Sequence, residues 1–286
     1  MRQIVTTHWG ELVQGPYAHS GAVKTALLTL PRMDLRVTAQ FIPNKNLTGI
    51  VVMPRRKKKS QEAVNRLLNN GQQRRCPGQI HLSGDMPEEV GAGSSTGDIY
   101  AVITLLNTMF ELGLSKEAVQ WMIWDIEKAS DPIGLLDETT SVLYGSRCGD
   151  VFRDDLPSLP SHARCVAFQS SARKVRTDSL LGTTYTTQET DRFGMILDMA
   201  IRGLQTSDLT LIGRAATASA ILNQRVIAFP NFRQLLAVAD SCAGISISHS
   251  GTVGSFIISE HDFSEHWFNS VVATLSPFGF CGFSVF

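Results

Sequence analysis

The sequence predicts an α+β fold with two domains. In both halves of the chain, short runs bounded by glycine or proline alternate with stretches whose apolar residues recur at helical spacing. With 286 residues, 43% of them hydrophobic, the chain is long enough to bury a large core. A polar, proline-bearing stretch at residues 154–161, DDLPSLPS, predicts the boundary between a domain at 1–158 and a domain at 159–286.

The first predicted elements are strands. Between Gln3 and about Gln40, the runs IVTTHWGELVQG, AVKTALLTLP and MDLRVTAQF mix β-branched residues with turn glycines and a proline. A further strand, GQIHLSG, is predicted at residues 78–84, shortly before a glycine-rich turn.

A basic run, PRRKKKSQ, occupies Pro54–Gln61. We interpret it as a solvated loop, because a single cationic cluster in a neutral chain is usually a surface feature; a phosphate or nucleic-acid patch is the alternative. After it, Val64, Leu67 and Leu68 fall at helical spacing, in a helix that we expect to end at Gly71, a common C-cap residue.

Two helices are predicted after the glycine-rich turn. The first runs from about Ser94 to Glu111, because Ile99 and the apolar residues after it lie on one helical face. The second begins after Ser115, a favourable N-cap residue, and the runs SVLYGS and GDVF then predict a hairpin. The later predictions are a strand at Cys165–Gln169, helices near Asp191–Leu204, Asp208–Leu222 and Asn231–Ala239, and strands at Ile245–Ser248 and Val253–Ile258.

Composition argues against several function classes. Lys+Arg and Asp+Glu both number 26, and a chain of zero formal charge is a poor candidate for non-specific binding to nucleic acid or to a membrane surface. The five cysteines are scattered, without a CxxC pair or metal-ligand spacing, so we expect reduced thiols. No apolar run approaches the ~20 residues that cross a bilayer, and the N-terminal residues lack a signal-peptide core. We therefore expect a cytoplasmic protein.

The turn in PEEVGAGSSTGDIYAV, residues 87–102, carries the chemistry of an anion site. Gly91, Ala92 and Gly93 leave backbone N–H groups accessible, and a helix that starts near Ser94 adds its unpaired first amides and the positive end of its dipole. Neither GxxxxGK[ST] nor GxGxxG is present, since the last glycine is followed by Asp98 and not by lysine. An ordinary N-cap turn is the alternative, and Asp98 would complement the dipole or meet a substrate ammonium.

The order of three motifs resembles that of the GHMP kinases, which phosphorylate hydroxyl groups of small molecules. GELVQG lies at residues 10–15, SSTGDI at 94–99 and SHSGTVG at 248–254, so the resemblance spans nearly the whole chain. Within that superfamily, GELVQG and SSTGDI most resemble the L-threonine kinases of cobalamin side-chain synthesis, in which the second motif reads SSTADI. Each motif alone is short enough to arise by chance, so the resemblance depends on all three occurring in the same order.

The resemblance implies a two-domain fold, with a ribosomal protein S5-like N-terminal domain and a ferredoxin-like C-terminal domain. It also implies ATP and Mg²⁺ as cofactors, with the phosphates on the Gly91–Gly93 loop and Ser95 as a Mg²⁺ ligand. A segment beginning at Gly251 would back the phosphate loop from the second domain, where glycine permits close approach. The expected cofactor-binding residues are Gly91, Ala92, Gly93, Ser94, Ser95, Thr96, Gly251 and Thr252.

Two acids in DIEKASDPIG are candidates for phosphoryl transfer, which needs a metal and a group that directs the hydroxyl proton. Pro132 disfavours helix at Asp131, so Glu127 is expected on the last helical turn and Asp131 on a tight loop. Together with the resemblance, this predicts Asp131 as the base or substrate-orienting residue and Glu127 as a Mg²⁺ ligand. Asp137 is the rival of Asp131, and a turn-forming aspartate and a solvated glutamate are the structural alternatives.

The N-terminal motif departs from the mevalonate-type relatives, which have a lysine upstream of the GE pair. This chain reads TTHWGE, with no lysine before Lys24, which puts a lysine-assisted mechanism in doubt. Glu11 and Gln14 are polar residues near the expected cleft; Glu11 is the second catalytic candidate, and a structural turn is the alternative. His8 and His249 are expected to be packed or hydrogen-bonded.

The leading hypothesis is an ATP-dependent kinase that converts L-threonine to O-phospho-L-threonine. Homoserine, serine or another small alcohol is the alternative acceptor, and a GHMP-like protein that binds a ligand without transfer is the non-enzyme alternative. The expected partner is the small-molecule substrate, with no nucleic acid and no membrane. A homodimer is compatible with the sequence, which encodes no readable oligomeric state.

Overall fold

A computed structural model describes residues 1–19, 21–85, 93–128, 130–136, 140–146, 153–171, 184–249 and 252–286. The chain divides into two compact units. The first contains Met1–Thr7, Arg32–Pro87 and Gly93–Leu135, and the second contains the remainder. Each unit is assembled from separate stretches of sequence, and the domain boundary after residue 158 stays a prediction.

Strands and helices occur in groups along the chain, and the described strand pairs are mostly antiparallel, as is typical of an α+β protein. The described strands are β1 (Arg2–His19), β2 (Ala22–Pro43), β3 (Ile50–Met53), β4 (Gly78–Gly84), β5 (Thr140–Ser146), β6 (Arg153–Pro157), β7 (Ala163–Ser170), β8 (Gly244–Ile247), β9 (Val253–Ser259) and β10 (Phe280–Val285). The described α-helices are α1 (Lys58–Leu67), α2 (Asn70–Arg75), α3 (Ser94–Met109), α4 (Lys116–Glu127), α5 (Thr187–Thr206), α6 (Leu209–Asn223), α7 (Phe232–Ala239) and α8 (Glu265–Leu275).

The first unit combines a small sheet with four helices. Strand β4 pairs antiparallel with the Val37–Pro43 part of β2 and parallel with β3. Because parallel neighbours need a crossover connection, α1 and α2 lie between β3 and β4 in the chain. Helix α3 supplies much of the core, since Ile99, Val102, Ile103 and Leu106 are fully buried, as their spacing predicts.

The second unit is organised around an antiparallel sheet with strand order β10-β7-β9-β8. Helices α5 and α6 share a hydrophobic cluster that includes Phe193, Leu197, Ile212 and Ala216. In the same unit, β5 pairs antiparallel with β6 and with the first half of β2. The strand predicted at SVLYGS is therefore present as part of β5, and its described antiparallel partner is β6; the predicted partner, GDVF, lies outside the described part of the chain.

The helix predicted to end at Gly71 is two helices. Helix α1 ends at Leu67, and α2 begins at Asn70 and contains Gly71. Asn69 causes the break because its side chain accepts a hydrogen bond from the Gln72 amide, while the Gln72 side chain accepts one from the Asn69 amide. This reciprocal capping box starts a new helix where the sequence pattern indicated the end of the old one.

None of the helices in the described residues is long and apolar enough to span a lipid bilayer.

Candidate functional site

The candidate site in the first unit begins at the N-terminus of α3. Gly93 adopts the left-handed conformation, with φ 71°, and caps the helix without a side chain. The first intrahelical bond runs from the Gly97 amide to the Gly93 carbonyl, at 2.9 Å. The amides of Ser94, Ser95 and Thr96 therefore precede the helical ladder, at the positive end of the helix dipole, as an anion site requires.

The C-terminus of α4 meets the start of α3 through one carboxylate. Glu127, the last residue of α4, has a side chain only 4% exposed. Ser95 Oγ donates a hydrogen bond to Glu127 Oε1 and Thr96 Oγ1 donates one to Glu127 Oε2, each at 2.5 Å. The two hydroxyls of the first turn of α3 thus hold both oxygens of a buried acid. The position of Glu127 at the end of α4 confirms the prediction that it lies on the last turn of its helix.

The burial of Glu127 decides its ionisation. Desolvation raises the pKa of this carboxyl, and the nearby Asp131 raises it further. Lys59 and the hydroxyls of Ser95 and Thr96 oppose the shift without cancelling it. The site therefore favours either a proton or a cation beside this carboxylate.

The basic run was interpreted as a solvated loop, but it is helical from Lys58 onward, and two of its lysines pair with acidic side chains of this region. Lys57 Nζ lies 2.5 Å from Asp98 Oδ2, and Lys59 Nζ lies 3.2 Å from Glu127 Oε1. Lys58 and Lys59 belong to the first turn of α1, where the dipole disfavours positive charge, so acidic partners are needed. This ion pair with Lys57 is a contact of Asp98 that was not predicted from the sequence.

Asp131 lies in a buried loop after α4, as Pro132 predicted. Its carboxylate Oδ2 is 3.5 Å from Thr96 Oγ1, and the residue is 4% exposed. Gln120 of α4 anchors the loop: its Nε2 donates to the Asp131 carbonyl at 2.9 Å, and its Oε1 accepts from the Gly134 amide at 3.1 Å. No local sequence signal identifies Gln120, since its partners lie beyond the end of its own helix.

The oxygen atoms around Glu127 fit a hard divalent cation. Mg²⁺ prefers one or two carboxylates, completed by water and phosphate oxygens, and Ser95 and Glu127 offer a hydroxyl and a carboxylate in contact. Ser95 is exposed, so a cation could reach the pair from solvent. Ser95 and Glu127 thus offer oxygen ligands suited to Mg²⁺, and their role as its ligands stays a prediction.

Glu11, the second catalytic candidate, belongs to the second unit. Its Oε1 lies 2.8 Å from His249 Nδ1, and its Oε2 accepts a hydrogen bond from the His249 amide at 2.7 Å. Both residues are buried, and His8 is also buried, with its Nδ1 3.0 Å from the Gly10 carbonyl. Glu11 thus holds the segment before β9 in place, and its catalytic role stays a prediction.

Gln14 of GELVQG is also hydrogen-bonded within the second unit. Gln14 Nε2 donates to the Ile247 carbonyl at 2.6 Å, and the Gln14 carbonyl accepts from Ser219 and Asn223 of α6. Thr252 is buried and its carbonyl accepts from the Ser170 amide at 2.8 Å. The role of Thr252 in nucleotide binding stays a prediction.

Four other residues named as site candidates lie outside the described part of the chain: Gly91, Ala92, Gly251 and Asp137.

A valine at Gly93 should abolish ATP binding. A β-branched residue is strained at positive φ, which should lower stability by about 1–3 kcal/mol, and its bulk would cover the first amides of α3. Gly113→Val is the matched control, because Gly113 also has positive φ, at 67°, but lies in open space between α3 and α4. Calorimetric titration with ATP should give no heat for the first variant and near wild-type affinity for the control; equal affinity for both would remove Gly93 from the site.

Residues 58–145 match the family model of the GHMP kinases N-terminal domain. This range contains α3, α4 and the contacts of Glu127 with Lys59, Ser95 and Thr96. No curated protein matches the sequence.

Several solved structures share the fold over the whole chain. The phosphomevalonate kinase of Streptococcus pneumoniae, in complex with phosphomevalonate and AMPPNP, has a TM-score of 0.71 at 12% identity, covering 100% of this chain and 98% of that one. Homoserine kinase from Cytophaga hutchinsonii has a TM-score of 0.66 at 14% identity, with coverage of 100% and 93%. Methanococcus jannaschii mevalonate kinase has a TM-score of 0.66 at 11% identity, with coverage of 100% and 96%. At these identities the likeness concerns the fold, which is the predicted two-domain α+β fold.

Proposed function

We propose that this protein phosphorylates a small hydroxylated amino acid. Residues 58–145 match the N-terminal domain of the GHMP kinases, and the whole chain shares its fold with kinases of that type. Both findings indicate an ATP-dependent phosphotransferase that acts on hydroxyl groups. One observation carries this proposal. The start of α3 presents its first amides beside a buried carboxylate, Glu127, that the hydroxyls of Ser95 and Thr96 hold in place. An anion site and a cation site are thereby adjacent, as a magnesium nucleotide requires.

Each residue of this cluster has a distinct part in the proposed reaction. The amides of Ser94, Ser95 and Thr96 would bind phosphate oxygens of ATP, and Ser95 and Glu127 would hold the metal. Mg²⁺ supplies charge neutralisation on the transferred phosphoryl group. Asp131, on its anchored loop, orients the acceptor hydroxyl or accepts its proton.

We favour L-threonine as the acceptor, on the resemblance of SSTGDI and GELVQG to the L-threonine kinases. Homoserine is the second candidate, because a homoserine kinase is among the proteins that share the fold over the full chain. A polar site that pairs the hydroxyl, carboxylate and ammonium of its substrate rejects analogues that lack one of them. The methyl group that distinguishes threonine from serine would favour threonine by about 1–3 kcal/mol if it fills an apolar pocket.

A transfer assay with a panel of acceptors tests the proposed function. The protein is incubated with MgATP and L-threonine, D-threonine, L-serine, L-homoserine or mevalonate, and product is identified by ³¹P NMR and mass. We expect O-phospho-L-threonine, with less product from L-serine and little from D-threonine. A preference for L-homoserine would replace the acceptor and keep the kinase, whereas no phosphorylated product from any amino acid would contradict the proposal.

We further propose that the enzyme acts in the cytoplasm as a soluble protein. The scattered cysteine spacing supports this, and the described cysteines Cys76, Cys165, Cys242 and Cys281 are free thiols.

A further inference from the structure

Lys59 is a cation beside the carboxylate that would hold the metal. Its Nζ lies 3.2 Å from Glu127 Oε1, and the same oxygen accepts the hydroxyl of Ser95, the other expected metal ligand. A divalent cation on this oxygen and the Lys59 ammonium would repel each other at such short range. The two cations therefore compete for one oxygen.

The three consecutive lysines differ in their contacts and exposure. Lys57, whose side chain is 18% exposed, is fixed on Asp98 of α3 at 2.5 Å and anchors the start of α1 against that helix. The Lys59 side chain is 45% exposed and has a flexible four-carbon stem, so its ammonium can leave Glu127 without moving the backbone. Lys58, between them, is exposed and provides a matched control.

We propose that Lys59 is an internal counter-ion of the metal site: it pairs with Glu127 in the metal-free protein, yields that carboxylate to Mg²⁺, and then pairs with phosphate oxygens of the nucleotide. This inference rests on the proposed function, which places the metal and the phosphates at the start of α3. The freed ammonium lies close to that anion site because Ser95 and Thr96 of the first turn contact the same carboxylate. Lys59 thus links metal binding to nucleotide binding through one exchange of partners.

Metal binding without nucleotide is the direct test. Mn²⁺ affinity is measured by electron paramagnetic resonance for the wild type, Lys59→Met, Lys58→Met and Glu127→Gln. Removal of the competing charge should tighten Mn²⁺ binding to Lys59→Met by about 5-fold or more, as expected for a coupling of this kind. Lys58→Met should bind Mn²⁺ like the wild type, and metal-free ADP should bind more weakly to Lys59→Met than to Lys58→Met.

The outcomes separate this inference from the proposed function. Unchanged or weaker Mn²⁺ binding by Lys59→Met, or an equal gain in Lys58→Met, would overturn the role of Lys59. If Lys59→Met fails to fold, Lys59→Gln and Lys59→Arg replace it; the glutamine variant should show the gain and the arginine variant, which keeps the charge, should not. If Glu127→Gln binds Mn²⁺ as well as the wild type does, the metal site itself is wrong and the proposed function loses its main support.

Discussion

Replacing Glu127 by glutamine should lower phosphoryl transfer on the order of 10²–10³-fold and, in the metal-free protein, raise the melting temperature at neutral pH. Loss of a metal that neutralises developing charge removes several kcal/mol of transition-state stabilisation, which at about 1.4 kcal/mol per tenfold gives this range. The amide keeps the shape of the side chain: its carbonyl oxygen can accept one of the hydroxyls that Ser95 and Thr96 donate to Glu127, and its NH2 group can donate to the other hydroxyl. The effect on turnover would therefore come from charge and not from disorder.

The stability effect follows from the raised pKa of Glu127. A carboxyl whose folded-state pKa lies above its unfolded value contributes stability that is fully present below the unfolded pKa and is lost as pH rises through the folded pKa. The raised pKa therefore means that Glu127 lowers the stability of the fold at neutral pH relative to acidic pH, and the uncharged glutamine avoids this loss. The gain in melting temperature should grow from acidic to neutral pH, as measured by scanning calorimetry without metal.

Asp125→Asn on the same helix is the matched control. Lys128 and Arg66 hold the pKa of the exposed Asp125 below its usual value, so ionised Asp125 contributes stability that is present above its unfolded pKa and lost as pH falls through the folded pKa. This variant should be no more stable than the wild type at neutral pH and should keep its activity. A Glu127→Gln protein that is less stable than the wild type at neutral pH, or that turns over normally, would contradict the account.

Replacing Asp131 by asparagine should lower turnover about 10²–10⁴-fold, the range of a positioned acid–base group, while ATP affinity stays close to wild type. Asparagine keeps the size of the side chain and removes its charge. The loop should remain in place, because Gln120 binds the Asp131 carbonyl and the Gly134 amide and not the carboxylate. Steady-state kinetics and ATP titration separate the two effects.

Asp137→Asn is the comparison for this prediction, since Asp137 is the rival carboxylate in the sequence. The account expects Asp137→Asn to remain active. Inactive Asp137→Asn together with active Asp131→Asn would reverse the assignment. Full activity of both would mean that the hydroxyl needs no carboxylate, or that Glu11 has the role.

The sequence alone predicted the parts of the site that local signals determine. Apolar spacing and the Ser115 cap located α3 and α4, and Ser115 does accept a hydrogen bond from the Ala118 amide. Pro132 placed Glu127 on the helix and Asp131 on the loop after it. These features depend on residues close together in the sequence, so they could be predicted from it.

The lysine contacts depend on distant parts of the chain. Lys57 and Asp98 are 41 residues apart, and Lys59 and Glu127 are 68 apart, so no local pattern pairs them. One signal was present: a lysine run at the start of a helix opposes the dipole and needs acidic partners. Helix α8 and strand β10 were also missed. The signals for α8 are present in the sequence, since Ser264 caps the helix and the buried Val271 and Leu275 lie at helical spacing.

The central claim is that ATP and its metal bind at the start of α3, with Glu127 and Ser95 as metal ligands. Anomalous diffraction from crystals grown with Mn²⁺ and a non-hydrolysable ATP analogue tests it most directly. The account predicts one metal peak at coordination distance from the Glu127 carboxylate and the Ser95 hydroxyl, with phosphate oxygens on the amides of Ser94, Ser95 and Thr96. A metal and phosphates bound elsewhere, with Lys59 still paired to Glu127, would contradict it.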